Sequence, residues 1–361
     1  MPDSSAPGAT APSSSSPEME YHGARLRAWY SDPIAEHMAA RSAAGLFDRS
    51  FRVMFSAKGS DRTRFLHSMT TNDVKGLAPG RGLYATLLDV RGHILADLEI
   101  YCEEDQFLIS TDADLIEKVL STLGKYNIGG RVPLDRLPLA ALSVEGPKSG
   151  ELLRGDLQGP LPGPGEFSAT TFLGQPLRVM RNGSTGEEGY ELWAPPEALE
   201  PLRSALLEKG RAQGLVPCGS RALETLRIEA GIPKYGSELA EDTLPLEAGL
   251  DGELLKAVSF TKGCYIGQEI VERARSRGRV NWRLLGLFVE TPEAPAPGEK
   301  VLKEGNPVGE ITSACVSPAL GRTLAMAYLR REVADPGTSL ALASGAGAEV
   351  TTLPFYRSPA L

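Results

Sequence analysis

The apolar positions along the 361-residue chain fall mostly at the spacing of short β-strands. Apolar residues recur in the runs 51–57, 82–90, 93–101 and 106–110, a pattern that predicts an antiparallel meander. The dipeptide Arg91-Gly92 separates the second run from the third and predicts a tight hairpin at that point. Further strands are predicted within 137–146, 176–180 and 190–194.

Other segments show the spacing of amphipathic helices, namely 31–45, 59–69, 111–126, 196–213 and 219–230. The expected N-caps of the first three are Ser31 or Asp32, Ser60, and Thr111 or Asp112. Pro33 occupies the first turn of the first helix, a position that proline favours. Because most of the predicted strands are joined by hairpins, we expect an α+β fold rather than a doubly wound α/β sheet.

Proline, glycine and serine divide the chain into regions. The first 17 residues hold six Ser and four Pro but no Lys or Arg, which predicts a disordered tail. After the proline-rich segment 291–299 the chain is all strand and turn, which predicts a small barrel. The predicted domains are a tail at 1–17, an α+β region of two interleaved subdomains at 18–280, and a C-terminal antiparallel β-barrel at 281–361.

Composition and charge exclude several classes of protein. With 38 Lys+Arg against 46 Asp+Glu, the net charge of −8 argues against wholesale coating of nucleic acid. The four cysteines and four histidines are scattered without CxxC or HExxH, so we expect neither a disulfide scaffold nor a bound metal. Residues 1–17 match no signal peptide or presequence, and no run of about 18 apolar residues occurs. We therefore expect a cytoplasmic protein outside the membrane.

The segment TKGCYIGQE, residues 261–269, is the least ordinary in the chain. Cys264 follows Lys262 by two residues, and a neighbouring cation lowers the pKa of a thiol. Around this pair stand Gly263, Tyr265, Gly267, Gln268 and Glu269. Flanking glycines permit close approach of a ligand to the backbone. The segment fits a reactive thiol, and equally a cysteine buried in a turn.

The arginines that follow this segment recur at every second position, at 273, 275, 277 and 279. In an extended conformation all four would face the same way. Such a face suits phosphate, a polyglutamate tail or RNA, and it suits equally a solvated edge strand protected by charge.

Three further charged side chains are candidates for chemistry. In the strand 93–101, Asp97 projects from the face opposite the apolar residues, together with His93 and Glu99, where it either takes a proton from an amine or is merely exposed. Glu187 lies in a glycine-flanked turn, as a ligand acceptor or as part of a polar hairpin tip. Arg227 borders the apolar arc of its helix and either reaches a buried anion or extends to water.

Several strings occur in a familiar order: RNGSTGEEGYEL, RALETLRIEAGIPKYGSEL, TLPLEAGL, and then NPVGEITSACVSP before a final PFY. Over roughly residues 30–357 the chain resembles the folate-binding aminomethyltransferase, or glycine-cleavage T-protein, superfamily. TTNDVKGL at 70–77 and KGCYIGQE at 262–269 resemble the YgfZ branch, whose members are tetrahydrofolate-linked factors of iron–sulfur protein maintenance. T-proteins have a related stretch there but lack the cysteine.

The resemblance implies three subdomains in a cloverleaf around a central folate-sized channel, with the barrel closing one side. It implies tetrahydrofolate or a one-carbon derivative as cofactor. By the same resemblance Asp97 lies near the N5/N10 edge of the pterin, Glu187 accepts from its amino-pyrimidine edge, and Arg227 shapes the pocket. Tyr84 and Tyr190 complete the implied folate-binding set. Lys262 and Cys264 are the implied functional pair, within a motif that extends to Arg273.

The leading hypothesis is a tetrahydrofolate-binding protein that supports assembly or repair of iron–sulfur enzymes, including tRNA-modifying ones, with Cys264 as the functional thiol. Its partners would be folate and iron–sulfur client enzymes or assembly factors, without direct nucleic-acid binding. The alternative is an aminomethyltransferase that moves a one-carbon unit from an aminomethyl-lipoyl carrier to tetrahydrofolate; Asp97 favours it and the KGCYIGQE string opposes it. A third reading is a folate-independent scaffold that docks RNA or protein through its arginines.

Overall fold

The structure of the protein is a computed structural model that describes residues 16–154, 157–172, 174–276 and 280–359. The predicted tail therefore lies outside the described residues up to position 15, and so do Arg277 and Arg279. Within the described part, Pro17 accepts a backbone hydrogen bond from Ala28 at 2.9 Å. No described helix is both long enough and apolar enough to span a bilayer.

The helices of the described chain are α1 (Pro33–Ser42), α2 (Arg62–Met69), α3 (Ile116–Tyr126), α4 (Ser149–Arg154), α5 (Pro196–Gly210), α6 (Ser220–Glu229) and α7 (Gln268–Ser276). The first begins as the sequence predicts: Asp32 accepts the backbone N–H of Ala35 at 2.8 Å, and Pro33 stands at the first helical position.

The strands are β1 (Glu18–Tyr21), β2 (Ala24–Arg27), β3 (Ala44–Asp48), β4 (Arg52–Lys58), β5 (Gly82–Leu88), β6 (Ile94–Cys102), β7 (Gln106–Asp112), β8 (Leu134–Arg136), β9 (Ala140–Glu145), β10 (Phe167–Phe172), β11 (Gln175–Met180), β12 (Gly189–Ala194), β13 (Leu215–Cys218), β14 (Trp282–Val289), β15 (Lys300–Lys303), β16 (Asn306–Ser317), β17 (Arg322–Arg330), β18 (Ser339–Leu342) and β19 (Gly347–Thr351). Strands β5 and β6 form the hairpin predicted across Arg91-Gly92.

The strands assemble into two sheets and a barrel. One sheet has the order β5-β6-β7-β4-β8, and the other has the order β10-β11-β12-β9-β3-β13, in which only the β3–β13 pairing is parallel. The closed barrel has the order β14-β17-β16-β15-β18-β19 and is antiparallel throughout. Each unit has its own apolar core. The predicted α+β fold with a C-terminal antiparallel barrel is confirmed.

The chain crosses from one sheet to the other within a few residues. β3 belongs to the six-stranded sheet, whereas β4, which begins at Arg52, belongs to the five-stranded sheet. The connection between them is residues 49–51. Because β3 and β4 are each paired within a sheet, both ends of this short turn are held in place. The one charged side chain on the turn, Arg49, consequently lies between the two sheets.

Two predicted helix starts are wrong. α2 begins after Asp61 rather than Ser60, and the Asp61 side chain makes no capping hydrogen bond. Thr111 and Asp112 do not open α3, because they end β7, where they pair with Val53 and Arg52 of β4. Pairing in the sheet satisfies their backbone groups, so the helix starts later, at Ile116.

The predicted arginine stripe is also wrong where the structure describes it. Arg273 and Arg275 lie on the helix α7, so their side chains project about 200° apart around the helix axis. Arg273 pairs with Glu269 at 2.5 Å and Arg275 with Glu272 at 3.9 Å, at the i,i+4 and i,i+3 spacings of a helix. These pairs favour a helix over an extended strand.

Candidate active site

A cavity of about 500 Å³ lies where the two sheets meet the end of α6. One wall comes from β4 to β7, another from the 181–184 loop that precedes β12, and a third from residues 232–235 and 254–256. Three of the candidates predicted from the sequence, Tyr84, Asp97 and Arg227, line the cavity, and so does Glu99.

Asp97 occupies the cavity wall because of the alternation along β6. Ala96 and Leu98 are fully buried in the core of the five-stranded sheet, so the residue between them faces the cavity. Tyr84 donates its hydroxyl to Asp97 Oδ2 at 3.2 Å, whereas Asp97 Oδ1 is buried without a hydrogen-bond partner among the described residues. Burial, and next the charge of Asp112, raise the pKa of Asp97. The reading of Asp97 as merely exposed is wrong.

Glu99 stands two residues further along the same face of β6. Burial raises the pKa of its carboxyl to about 7, although Arg52 opposes the shift. Tyr101 donates its hydroxyl to Glu99 Oε2 at 3.2 Å, and Arg52 Nη2 lies 3.4 Å from Glu99 Oε1. The wall therefore holds two carboxyl groups that retain protons more readily than exposed ones do.

Sequence reasoning missed the two arginines that face these carboxyl groups. Arg52 is buried at the start of β4 and donates from Nη1 to Asp112 Oδ1 at 2.9 Å. Arg49 donates from Nη1 to Ser184 Oγ at 2.7 Å and from Nη2 to Glu191 Oε1 at 2.8 Å. A charged residue at the head of an otherwise apolar strand was the available signal, since Phe51 and Met54 beside it are buried.

Arg227 lines the cavity but is held by protein partners. It is 3% exposed, so the expectation that it extends to water is wrong. Its Nη1 donates to Glu238 Oε2 at 3.0 Å, and its Nη2 donates to Ser313 Oγ at 2.8 Å. Because Ser313 belongs to β16, this guanidinium joins α6 to the barrel.

Glu187 and Tyr190 lie apart from the cavity lining given by the described residues. The Glu187 carboxylate is buried, where it accepts from Arg41 Nη1 at 2.7 Å and from the hydroxyl of Ser358. It is therefore no polar hairpin tip. Tyr190 is buried in the core of the six-stranded sheet and donates to Glu188 at 2.7 Å. Arg41 also binds Glu229, so these charges form a second buried network.

Lys262 binds backbone carbonyls in the last turn of α2 and in the chain directly after it. Its ammonium donates to the backbone carbonyls of Thr70 at 2.5 Å and Asn72 at 2.8 Å, and also to that of His67. Burial lowers the pKa of Lys262 to about 8. The Asn72 side chain lines the cavity and donates to the carbonyl of Tyr84 at 2.8 Å. Lys262 thus acts on the cavity wall through the backbone.

The rest of the 262–269 motif serves the fold around Lys262. Cys264 is exposed and is not among the described residues that line the cavity. Tyr265 is buried, and Gly267 has φ +82°, where an added Cβ would lie 2.7 Å from the carbonyl oxygen of Asp89. Gln268 and Glu269 open α7, and Gly263 approaches His67. The structure therefore separates the thiol from the carboxylates of the cavity.

Two sheets that enclose a cavity with charged side chains in its wall, with a barrel docked beside them, define a protein of the α+β class. Residues 14–257 match the family model described as GCVT N-terminal domain, and residues 283–357 match the Glycine cleavage T-protein C-terminal barrel domain. The chain belongs to the glycine-cleavage T-protein (GCVT) family.

Similar proteins carry one common name. Aminomethyltransferase of Streptomyces coelicolor is 36% identical over 343 residues, covering 91% of this chain and 90% of that protein. Aminomethyltransferase of Bacillus subtilis is 32% identical, covering 94% and 95%. The crystal structure of glycine cleavage system aminomethyltransferase T from Bartonella henselae has a TM-score of 0.84 at 25% identity, covering 95% of each chain.

These similarities correct the leading functional hypothesis. A role in assembly or repair of iron–sulfur enzymes, with such enzymes as partners, was expected from the cysteine motif. That expectation is wrong, since the similar proteins at 32–36% identity over more than 90% of this chain are named aminomethyltransferases. The alternative hypothesis of the sequence analysis agrees with them better.

Proposed function

We propose that this chain binds tetrahydrofolate in the cavity and transfers a one-carbon unit to it from an aminomethyl group carried on a lipoyl sulfur. The observation that carries the proposal is Asp97, a carboxyl group with a raised pKa and one unpaired oxygen in the cavity wall. The names of the similar proteins, aligned over more than 90% of this chain, support it.

The proposed reaction forms two C–N bonds, from the aminomethyl carbon to N5 and N10 of the folate. The C–S bond to the carrier breaks and so does the C–N bond to the amino group. Two protons leave N5 and N10, one to the sulfur and one to the departing ammonia, so that thiol, ammonia and methylene-tetrahydrofolate balance the equation. A carboxyl group beside these nitrogens can accept a proton from one atom and return it to another.

Asp97 is the proposed proton carrier, and Tyr84 orients it through the hydrogen bond to Oδ2. Arg227 and Lys262 are proposed positioning residues, because each is saturated by protein acceptors that lie in or beside the wall. Glu187 and Tyr190 are proposed to support the site from the second buried network and the sheet core rather than by touching ligand.

We also propose, from the KGCYIGQE string, that the chain is related in sequence to the YgfZ branch of the family, without that branch's role in iron–sulfur protein maintenance. In this proposal the exposed Cys264 is not needed for transfer, and the motif supports the wall through Lys262. The domain limits 18–280 for the folate-binding part and 281–361 for the barrel are also proposed, and the first barrel strand, β14, begins at Trp282.

The test is a reconstituted transfer. Purified protein is mixed with tetrahydrofolate and a lipoylated carrier loaded with the aminomethyl group, and ammonia and methylene-tetrahydrofolate are measured. Equal amounts of both, dependent on protein and on folate, are expected. An absence of both, with the carrier shown to be loaded and the protein folded, would contradict the proposal.

A further inference from the structure

The cavity wall contains an acceptor and a donor that lack hydrogen-bond partners among the described residues. Asp97 Oδ1 and Arg52 Nη2 are both buried, and neither has a hydrogen-bond partner in the part of the chain that the structure describes. The large majority of buried side-chain polar atoms in proteins are hydrogen-bonded. Since both residues line the same cavity, a bound molecule can supply both missing partners.

Arg52 is fixed in position by its other nitrogens. Nη1 donates to Asp112 Oδ1 at 2.9 Å, and Nε donates to Ser110 Oγ at 3.2 Å, both on the neighbouring strand β7. The guanidinium is planar, so these two bonds determine the direction of Nη2. Glu99 Oε1 lies 3.4 Å from Nη2, close enough for attraction but without forming a hydrogen bond.

Asp97 is fixed in the same way. Tyr84 holds Oδ2 at 3.2 Å, so Oδ1 remains free for another donor. Asp97 and Arg52 also interact electrostatically across the wall. Together they present one N–H donor and one oxygen acceptor on residues of β4 and β6.

This pair selects the chemistry of its ligand. A carboxylate or phosphate offers only acceptors, and an ammonium group offers only donors. A ligand that carries a ring carbonyl next to a ring N–H satisfies both atoms at once. A tetrahydropterin has that edge, because its 4-oxo group stands beside N5–H.

We propose that Arg52 is a specificity-determining residue that donates from Nη2 to the 4-oxo group of the pterin ring, while Asp97 Oδ1 accepts from N5–H. The inference rests on the proposed function and adds the orientation of the ring, with Arg52 reading its 4-substituent and Asp97 its oxidation state. It also places Asp97 at one of the two nitrogens that react.

The experiment compares ligands that carry or lack each of the two ring groups. Tetrahydrofolate carries both groups, folic acid lacks N5–H, and the tetrahydro form of 4-amino-4-deoxyfolic acid lacks the 4-oxo acceptor. Dissociation constants are measured by fluorescence and calorimetry. Wild-type protein should bind tetrahydrofolate roughly 10- to 100-fold tighter than either analogue, as expected for a buried hydrogen bond to a charged group.

The variant Arg52→Met removes the donor and keeps much of the side-chain volume. It should bind the 4-oxo and 4-amino ligands within about threefold of each other while it retains a preference for the reduced ring through Asp97. Arg178→Met is the matched control: Arg178 pairs with Glu103 at 3.0 Å and lies outside the described lining of the cavity. That variant should discriminate as wild type does. Arg52→Lys, which keeps the charge, should discriminate to an intermediate degree.

The outcomes separate this inference from the proposed function. If tetrahydrofolate does not bind wild-type protein, both fail. If it binds but wild type does not discriminate the 4-oxo from the 4-amino ligand, or Arg52→Met discriminates as wild type does, only the inference is overturned. If instead Arg52→Met abolishes a preference for tetrahydrofolate over tetrahydropteroate, which lacks the glutamate, Arg52 reads the tail and the inference is overturned. The wild-type comparison decides the question even if the variant does not fold.

Discussion

Strand β6 and the 262–269 motif are the two segments in which the sequence concentrates candidate chemistry, and the structure uses them differently. On β6, Asp97 and Glu99 face a cavity and have raised pKa values. In the motif, the Lys262 ammonium donates its hydrogen bonds to backbone carbonyls and Cys264 is exposed. Strand β6, whose sequence is ordinary, forms the cavity wall, and the distinctive 262–269 motif supports that wall.

The difference teaches that an unusual string marks a structural demand as readily as a reactive centre. Glycine at 267 and lysine at 262 are required by a close backbone approach and by three carbonyls that need a donor. An aspartate on a strand becomes functional only when neighbouring elements enclose it, because burial changes its pKa.

The sharpest test of this comparison replaces each of the two candidate reactive groups in a separate variant. Asp97→Asn should lower the turnover number of the transfer reaction by about 100-fold or more, because a positioned acid–base group typically contributes that much. Cys264→Ser should change it by less than about twofold, since the thiol is exposed and outside the described cavity lining. Steady-state rates at saturating folate provide the measurement. Loss of turnover in Cys264→Ser alone would reverse the assignment.

A second test asks whether the buried network around Arg41 belongs to the site or to the fold. Arg41 pairs with Glu187 at 2.7 Å and with Glu229 at 2.6 Å. Arg41→Met would leave two buried carboxylates without their cation and should lower the free energy of unfolding by about 3–5 kcal/mol in urea denaturation. Arg81→Met, which removes an exposed pair with Glu166, should cost below about 1 kcal/mol. Equal costs would show that the network does not stabilise the fold.

A third test concerns the hydrogen bonds from Lys262 to the backbone carbonyls. Lys262→Met removes the ammonium donor from the carbonyls of His67, Thr70 and Asn72, of which the last still accepts from the Val74 backbone N–H, and should lower the free energy of unfolding by about 2–3 kcal/mol. It should also weaken tetrahydrofolate binding, since Asn72 in the wall loses its support. Arg273→Met, on the exposed face of α7, is the control and should leave both measurements within about 0.5 kcal/mol of wild type. Unchanged affinity in Lys262→Met would separate the motif from the cavity.

The smallest expected effect is a pH dependence of stability. The pKa of Glu99 is raised in the fold to about 7 from an ordinary value of 4.5, so the folded protein binds the proton more tightly than the unfolded chain. Its contribution is therefore greatest at low pH and is lost as the pH rises from about 4.5 to 7. Glu99→Gln should flatten this part of the curve and stabilise the protein at pH 8. An identical pH curve in the variant would exclude Glu99 as the group responsible.

Much of the local structure could be predicted from sequence, and the exceptions have a common cause. The cap at Asp32 and the hairpin at Arg91-Gly92 depend on a few adjacent residues, and both predictions are confirmed. Thr111 and Asp112 were expected to open a helix, but β4 pairs with them from more than 50 positions earlier in the chain. Local signals give way where a distant strand satisfies the same backbone groups.

The sequence by itself determined the α+β class, the C-terminal barrel and the face of β6 from which Asp97 projects, because periodicity and turn chemistry act over short stretches. Tertiary structure alone decided which charges meet. Strand β4 brings Arg52 to Asp112 and Glu99, α1 brings Arg41 to Glu187, and the 262–269 motif turns its lysine toward the chain after α2. Burial raises the pKa values of Asp97 and Glu99 and leaves Asp97 Oδ1 and Arg52 Nη2 without a hydrogen-bond partner among the described residues, and neither property exists until the chain has folded around them.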